Sequence, residues 1–275
     1  MKLIKVGQAR WRDYLIEAWG LAMILMAAGF FTVAFEDPGS PLALWLPNPW
    51  LRRAGIGLLM ALTVMALIYS PWGKRSGAHF NPAVSLTFYR LGKLNGWDTA
   101  FYGLSQLCGG LVGVLVVAIL LRERFTTPPI QYITTVPGFA GSWVAFGVEF
   151  VMSAGLMGTV LWTVNSARYH QWTGALVGIL VGTYITLFVP LSGMSINPAR
   201  TLASAWPANV WTGWWIYLLA PCLGMLAVAE VYLAITRKPT HTLCVKLCPN
   251  AETPCGCALG CAYGCGLRPS GGHTP

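Results

Sequence analysis

One short motif occurs twice in this chain, each time between long apolar segments. The sequence SGAHFNPA spans residues 76–83, and SGMSINPA spans residues 192–199, 116 positions later. Both copies contain Asn followed by Pro. Asn is a favoured N-cap, and Pro at the first helical position loses only an N–H that has no helical partner. Each copy therefore predicts a loop that feeds a short helix, over about Pro82–Leu91 and Pro198–Trp206.

Six other segments are long and apolar enough to cross a bilayer, which takes about 20 residues. They are predicted at about Tyr14–Phe35, Ala54–Tyr69, Thr99–Leu121, Gly141–Val164, Trp172–Val189 and Trp214–Ile235. Composition agrees, because 55% of the residues are hydrophobic and only 10% are charged, whereas soluble domains carry about 25% charged residues. The sequence therefore predicts an all-α, multi-pass integral membrane protein.

The lysines and arginines predict an orientation for these segments. With the N-terminus inside, 13 of the 18 basic residues fall on the inner side and four on the outer side, which is the bias of cytoplasmic loops. The formal charge of +9 is thus explained by topology, so no nucleic-acid partner is expected. Both termini are predicted to be cytoplasmic, with the plasma membrane as the expected location.

The topology makes the two halves an inverted repeat. Repeat one covers about 10–125 and repeat two about 138–236, each with three spans and one half-length helix. The half-helices enter from opposite faces and must meet near the midplane. Broken helices at matching positions of two halves indicate a permeation or binding site. Residues 1–238 are predicted to form this domain, and 239–275 a disordered cytoplasmic tail rich in Cys, Pro and Gly.

The paired Asn-Pro-Ala motifs, the Ser-Gly before each and Arg200 after the second resemble the aquaporin family (major intrinsic proteins) over roughly residues 10–236. The resemblance implies a passive channel for water or small uncharged solutes that excludes ions and protons and is not an enzyme. It also implies a homotetramer in the lipid bilayer, with one pore per subunit and no cofactor.

The resemblance assigns roles to the residues of the repeated motif. The pore motifs are Asn81, Pro82, Ala83, Asn197, Pro198 and Ala199. The alternative for both Asn residues is that they are only helix caps. The backbone carbonyls expected to form an acceptor ladder are those of Gly77, Ala78, His79, Gly193, Met194 and Ser195. His79 has two interpretations, a structural loop histidine or a pH sensor.

Glu17 and Glu149 lie in spans one and four, which correspond in the two halves. Carboxylates within a membrane are costly and usually have partners inside the bundle. The resemblance implies that they accept hydrogen bonds from the backbone of the two motif loops. The alternatives are a proton relay or a carboxylate that reaches the interface.

The resemblance also locates a selectivity filter. Spacing from the motifs assigns it to Ala61, Ile185, Met194 and Arg200. Water channels of the family usually have a large aromatic residue and a His at the first two positions, so this filter is expected to be wider and more apolar. The prediction is a channel for water and small uncharged solutes, including neutral metalloid acids or peroxide, with glycerol as an alternative. Thr201 and Ala205 are more typical of water channels.

The tail contains six cysteines in 22 residues, Cys244, Cys248, Cys255, Cys257, Cys261 and Cys265. Clustered thiolates suit zinc, copper(I) or a trivalent metalloid, but the spacing matches no common zinc pattern. The alternative is a disordered tail with incidental cysteines. A second class of function follows, a membrane-anchored thiol protein that binds metal and has a vestigial pore.

Overall fold

The computed structural model describes residues 2–236, 244–250 and 253. These residues form α-helices and two 3₁₀ turns, with no strand among them. The α-helices are α1 (Lys2–Glu36), α2 (Pro41–Trp45), α3 (Pro49–Tyr69), α4 (Pro71–Ser76), α5 (Pro82–Arg90), α6 (Gly96–Leu121), α7 (Glu123–Thr126), α8 (Ser142–Val164), α9 (Thr173–Ser192), α10 (Pro198–Ala208) and α11 (Trp214–Thr236).

Six of the described helices are long and apolar enough to cross a membrane. They are α1 from Arg10 onward, α3, α6, α8, α9 with the turn before it, and α11. A kink at Arg10, with φ −128°, separates the start of α1 from its spanning part. The all-α fold with six spans and two half-helices is confirmed. The predicted bounds of the spans differ from the observed ones by a few residues at several ends. Hydropathy identifies the middle of a span, but fraying and capping residues decide where the helix ends.

The spans pack through small residues at their crossings, which lets backbones approach closely in a membrane protein. On α3, a Cβ added to Gly57 would lie 2.5 Å from the Gly182 carbonyl oxygen of α9. On α6, a Cβ added to Gly109 would lie 2.0 Å from the Ala18 carbonyl oxygen of α1. These glycines fix the distances between spans, and thereby the width of the space that the bundle encloses.

The half-helices α5 and α10 begin at the proline of each repeated motif, as predicted. Helix α5 ends at Arg90 and α10 continues to Ala208, past the predicted end at Trp206. Three spans separate the two loops along the chain, so the loops enter the bundle from opposite ends. Helix α4, between α3 and the first motif, has no counterpart before the second motif, because α9 continues directly to Ser192.

Part of the tail differs from its prediction. Residues 244–250 were expected to be disordered, but Val245 and Leu247 are buried in the same apolar cluster as residues of α3, α5 and α8. Two apolar side chains and the open carbonyls at the end of α4 give this segment a place to bind. For these residues the structure describes a packed segment where the sequence predicts disorder. Residues 237–243, 251–252 and 254–275 lie outside the part of the chain that the structure describes.

Candidate functional site

A cavity of about 540 Å³ lies between the two halves of the bundle. Its walls come mainly from α1, α3, α9, the connection over residues 129–138 and the two motif loops, with a smaller part from α8. At one end it is lined by Arg200 and Arg53, and we call this end the arginine-side mouth. At the other end it is lined by His79 and Leu247, and we call this end the tail-side mouth. Both Asn residues of the repeated motifs line the cavity between these ends.

Asn81 and Asn197 each cap their own half-helix and hold the opposite loop. The Oδ1 of Asn81 accepts from the Ala83 N–H at 2.9 Å, and its Nδ2 donates to the Ile196 carbonyl at 2.7 Å. The Nδ2 of Asn197 donates to the Phe80 carbonyl at 2.8 Å. Each amide carries two N–H groups, and the contact with the opposite loop uses one of them. One N–H of each amide can therefore donate to a molecule in the cavity.

The Oδ1 of Asn197 accepts from both the Ala199 and Arg200 N–H groups, at 3.1 and 3.2 Å. The N-termini of α5 and α10 thus converge on the middle of the cavity. A helix N-terminus carries a partial positive charge of about half an elementary charge. The centre of the cavity is therefore unfavourable for cations.

The loops before both half-helices have matching backbone conformations. Residues of positive φ occur one, two and four positions after the serine that begins each motif: Gly77, Ala78 and Phe80 in the first, and Gly193, Met194 and Ile196 in the second. A left-handed conformation costs roughly 1–2 kcal/mol for a residue that has a Cβ. Other contacts must therefore hold these loops in place.

Glu17 holds the first loop. Its Oε1 accepts from the Ser76 hydroxyl at 2.7 Å and the His79 N–H at 3.1 Å. Its Oε2 accepts from the Phe80 N–H at 2.6 Å and the Gln106 side-chain amide at 2.8 Å. The carboxylate is fully buried, and four donors compensate its charge.

Glu149 holds the second loop in the same way. Its Oε1 accepts from the Ser192 hydroxyl and the Ser195 N–H, both at 2.8 Å, and its Oε2 accepts from the Ile196 N–H at 2.6 Å. These are the backbone contacts that the family resemblance implied for the two carboxylates. Neither carboxylate lines the cavity, so each acts on the site through the loop that it holds.

One of the backbone carbonyls predicted to accept hydrogen bonds from permeating molecules already has a hydrogen-bond donor in this structure. Ala78, His79, Gly193, Met194 and Ser195 line the cavity. Gly77 does not line it, and its carbonyl accepts a hydrogen bond from the Leu247 N–H at 3.1 Å. In this structure the Gly77 carbonyl is therefore occupied by the tail, an arrangement that the motif by itself does not reveal.

His79 is buried beside the same mouth. Its Nδ1 lies 3.0 Å from the Ser85 hydroxyl and its Nε2 lies 2.8 Å from the Val245 carbonyl. Only a protonated Nε2 can donate to that carbonyl, and Nδ1 then accepts from the Ser85 hydroxyl. Burial lowers the pKa of His79 to about 4, although the bond to Val245 opposes the shift. The ring is therefore neutral at physiological pH.

The predicted filter has three members on the cavity wall, Ile185, Met194 and Arg200. The Arg200 Nη1 donates to the Ile133 carbonyl at 2.7 Å, which fixes the guanidinium at the arginine-side mouth. Burial lowers the pKa of Arg200 to about 10, against the raising effect of the Glu149 carboxylate. Arg200 is thus still cationic at neutral pH.

The fourth predicted filter residue, Ala61, lies on α3. Ala61 does not line the cavity, because it faces α9, where a Cβ added to Gly182 would lie 3.0 Å from the Ala61 Cβ. Met60 lines the cavity instead, and packs in one apolar cluster with Ile185. Adjacent helical residues point about 100° apart, so a register error of one residue exchanges a wall residue for a packing residue. The assignment of Ala61 to the constriction stays a prediction.

Two polar groups near the arginine-side mouth were not identified from the sequence, the Arg53 side chain and the buried Thr135 hydroxyl. The Arg53 side chain lines the cavity, and its buried Nε has no hydrogen-bond partner among the residues that the structure describes. The Thr135 and Thr201 hydroxyls are 2.8 Å apart, and the Ser195 hydroxyl lies 2.6 Å from Thr201. Arg53 follows a Pro-rich loop and carries no motif that would have marked it.

The tail cysteines fall in two groups. Cys244 and Cys248 lie at the tail-side mouth, where Cys244 is fully buried. Cys255, Cys257, Cys261 and Cys265 lie outside the described residues. Within residues 2–236, 244–250 and 253, no group of three or more His, Cys, Asp or Glu side chains could hold a metal. Metal binding by the tail stays a prediction.

Comparisons with known proteins identify the family. The family model described as major intrinsic protein matches residues 5–232. A probable NIP-type aquaporin from Nicotiana alata is 38% identical over 228 residues, which cover 80% of each chain. Aquaporin NIP2-3 from Zea mays is 32% identical over 220 residues, covering 78% of this chain and 70% of the relative.

Among solved structures, the aquaglyceroporin from Plasmodium falciparum has the same fold. The TM-score is 0.67 at 22% identity, and the match covers 82% of this chain and 96% of that one. Fold, paired half-helices and sequence matches agree, and the chain belongs to the major intrinsic protein family.

Proposed function

We propose that this chain conducts water together with small uncharged solutes such as neutral metalloid acids or peroxide. Membership of the family makes it a passive transmembrane channel for water or small solutes. The finer proposal rests on the residues around the arginine-side constriction, Met60, Ile185, Met194 and Arg200. Three of these side chains are flexible or aliphatic and apolar, and the fourth is a guanidinium. Water channels of the family usually have an aromatic residue, a His and an Arg in this region.

This composition favours neutral polar solutes for two reasons. Arg200 supplies N–H donors to a hydroxyl or carbonyl oxygen on one side, and the apolar residues contact the rest of the solute on the other. Met is unbranched and adapts its shape to its surroundings, so it closes the constriction less rigidly than an aromatic ring. Ions would lose their hydration shell here without gaining enough ligands in return.

The proposed barrier to cations and protons lies further in, at Asn81 and Asn197. Two half-helix N-termini add about one elementary charge at the centre of the cavity. Aquaporin-type pores exclude protons and cations through such half-helix dipoles. The support is the convergence of α5 and α10, whose caps hold each other's loops. The backbone carbonyls of the two loops would pass water and solute hydroxyls toward this point.

The test of the filter proposal uses purified protein in lipid vesicles and stopped-flow light scattering. Water, glycerol, urea and boric acid gradients are compared for the wild type and for Met60→Phe combined with Ile185→His. The variant is expected to keep water flow and to lose solute flow by about tenfold or more. Leu58→Phe is a matched control on the same helix, because Leu58 is 63% exposed on the outer face. Passage of water alone through the wild type would contradict the proposal.

The orientation and assembly are proposed on sequence grounds. The bias of basic residues supports cytoplasmic termini, and hence a cytoplasmic location for the tail-side mouth, in a plasma membrane. The family resemblance supports a homotetramer. Trypsin cleavage of sealed right-side-out vesicles tests the first point, and mass measurement of the purified protein in detergent tests the second.

A soft-metal or metalloid site on the tail is a separate proposal. It rests on six cysteines within 22 residues of a chain end that is proposed to face the cytoplasm, where thiols stay reduced. Equilibrium binding of zinc and of arsenite to the full-length protein tests it. The variant with Ser at positions 255, 257, 261 and 265 is the comparison. Equal uptake by the two proteins would contradict a site built on those four residues.

A further inference from the structure

The chain returns to the bundle after α11 and enters the tail-side mouth. Val245 and Leu247 are only 1% and 4% exposed. They belong to one apolar cluster with Ile68 of α3, Val160 of α8 and Val177 of α9. Leu247 is also part of the cavity wall. Residues 244–250, nearly 170 positions after the first motif, therefore fill the tail-side end of the cavity.

Hydrogen bonds attach this segment to the first loop. The Leu247 N–H donates to the Gly77 carbonyl at 3.1 Å, and the Val245 carbonyl lies 2.8 Å from the His79 Nε2. Gly77 has φ +106° and is the C-cap of α4. The carbonyls at the end of a helix have no partner within it, so the end of α4 offers acceptors to the tail.

A second attachment lies one turn earlier on α4. The Lys74 carbonyl accepts from the Asn250 Nδ2 and from the Thr253 hydroxyl, both at 3.1 Å. The tail therefore uses two carbonyls of α4 and its cap, Lys74 and Gly77. Helix α4 has no counterpart in the second half, so the arginine-side mouth offers no equivalent place.

The segment is also folded on itself. The fully buried Lys246 ammonium donates to the Thr253 carbonyl at 2.9 Å and hydroxyl at 2.7 Å. The Thr253 N–H donates to the Asn250 Oδ1 at 3.0 Å, and the Asn250 Nδ2 donates to the Cys248 carbonyl at 3.0 Å. These bonds close a compact turn behind Leu247, so its side chain is presented to the cavity by a defined structure.

We propose that residues 244–250 are a plug that closes the pore at the tail-side mouth and must leave for the channel to conduct. The plug occupies two groups that a permeating molecule would use, the Gly77 carbonyl and the His79 ring. It adds an apolar side chain, Leu247, at the same level. Water that enters from the arginine-side mouth then has no polar path past the first loop.

The proposal rests on the proposed channel function, so its test measures conduction and seating separately. Four proteins are reconstituted at equal density: the full-length chain, a chain ending at Lys238, Leu247→Asp and the conservative control Leu247→Ile. A carboxylate at position 247 cannot be seated among apolar side chains without a large cost. The truncated chain and Leu247→Asp are expected to conduct water at least about tenfold faster than the other two, if the plug is seated in about 90% of molecules or more.

The outcomes separate the two proposals. Equal water flow through all four proteins, above that of protein-free vesicles, overturns the plug and leaves the channel intact. If none conducts, the channel proposal fails, and amide hydrogen exchange of the full-length protein then decides the plug. The Leu247 amide is expected to be protected in the wild type and unprotected in Leu247→Asp. Exchange of this amide at the unprotected rate in the wild type overturns the plug on its own.

Discussion

The two motif loops are built alike, but they differ at three side chains, Ala78/Met194, His79/Ser195 and Phe80/Ile196. In each, a buried carboxylate accepts from a serine hydroxyl and from two successive backbone N–H groups, through Glu17 in the first loop and Glu149 in the second. A tyrosine hydroxyl from the third span of each half donates to the carbonyl of that serine, at 2.7 Å from Tyr102 and 2.6 Å from Tyr217.

The side chain two residues before each Asn is where the loops diverge. His79 and Ser195 both contact a hydroxyl four residues after the Asn, on Ser85 and Thr201 respectively. The imidazole also reaches the tail at Val245, whereas the serine ends in a chain of hydroxyls at the arginine-side mouth. The carboxylates and caps fix the backbone in both loops, and His79/Ser195 is the polar pair among the three side chains that differ. This position therefore gives each mouth its own polar chemistry.

The largest effect is expected from removing the buried carboxylate that holds each motif loop. Glu17→Ala and Glu149→Ala are each expected to lower the free energy of unfolding by about 3–5 kcal/mol, because buried donors lose their acceptor. The loss is expected to be greater for Glu17, which accepts four hydrogen bonds where Glu149 accepts three. Thermal unfolding in detergent measures both variants. A smaller loss for Glu17 than for Glu149 would contradict this count of contacts.

The next prediction uses the titration of His79. Seated against the plug, His79 has its pKa lowered to about 4 by burial, while a released, hydrated His titrates near its ordinary value of about 6.5. Protonation therefore favours release. The plug has its full stability above about pH 6.5 and loses up to tenfold in its closing equilibrium per pH unit down to about pH 4.

Water flow through the full-length channel is accordingly expected to rise as the pH falls from 6.5 to 4. The other charged or titratable groups near the ring are Arg10 and Glu17 of α1 and Tyr102 of α6, and Lys246 follows Val245 in the plug. His79→Asn keeps these groups and removes the titration. Stopped-flow measurements across this range are expected to give a flat profile for that variant and for the chain ending at Lys238. A rise in the truncated chain would assign the effect to another group.

His79→Ser makes the first loop resemble the second. The variant loses the bond to the Val245 carbonyl, which is worth about 1 kcal/mol, so closing of the plug is expected to weaken about fivefold at neutral pH. The same substitution in the chain ending at Lys238 is the other arm of a double-mutant cycle. An equal increase in water flow on both backgrounds would show that His79 acts on the pore and not on the plug.

The smallest expected effect concerns the far ends of the half-helices. Arg90, the last residue of α5, pairs with Glu230 of α11 at 2.6 Å, and both side chains are about half exposed. Helix α10 ends instead at Ala208, with Asn209 as its C-cap in a left-handed conformation. Exposed ion pairs contribute about 0–1 kcal/mol, so Arg90→Ala is expected to change the free energy of unfolding by less than that. A loss comparable to that of Glu17→Ala, in the same thermal assay, would contradict this.

The features that sequence determined are local or repeated. Hydropathy over about 20 residues predicts each span, and Asn followed by Pro predicts the start of each half-helix, because caps depend on only a few adjacent residues. The duplication itself placed Glu17 and Glu149 in matching spans. The order of spans then required the two loops to enter from opposite ends.

The tertiary structure decided which face of a helix meets which neighbour and which distant segments meet at all. Met60 and Ala61 are adjacent and both apolar, and only the close approach of α3 to Gly182 of α9 turns Ala61 away from the cavity. His79 and Val245 are separated by 166 residues, and no local pattern joins them. Residues 244–250 bind where the tail-side mouth has room for Val245 and Leu247 and where carbonyls at the end of α4 lack a helical partner. This binding site forms only after the helices have packed.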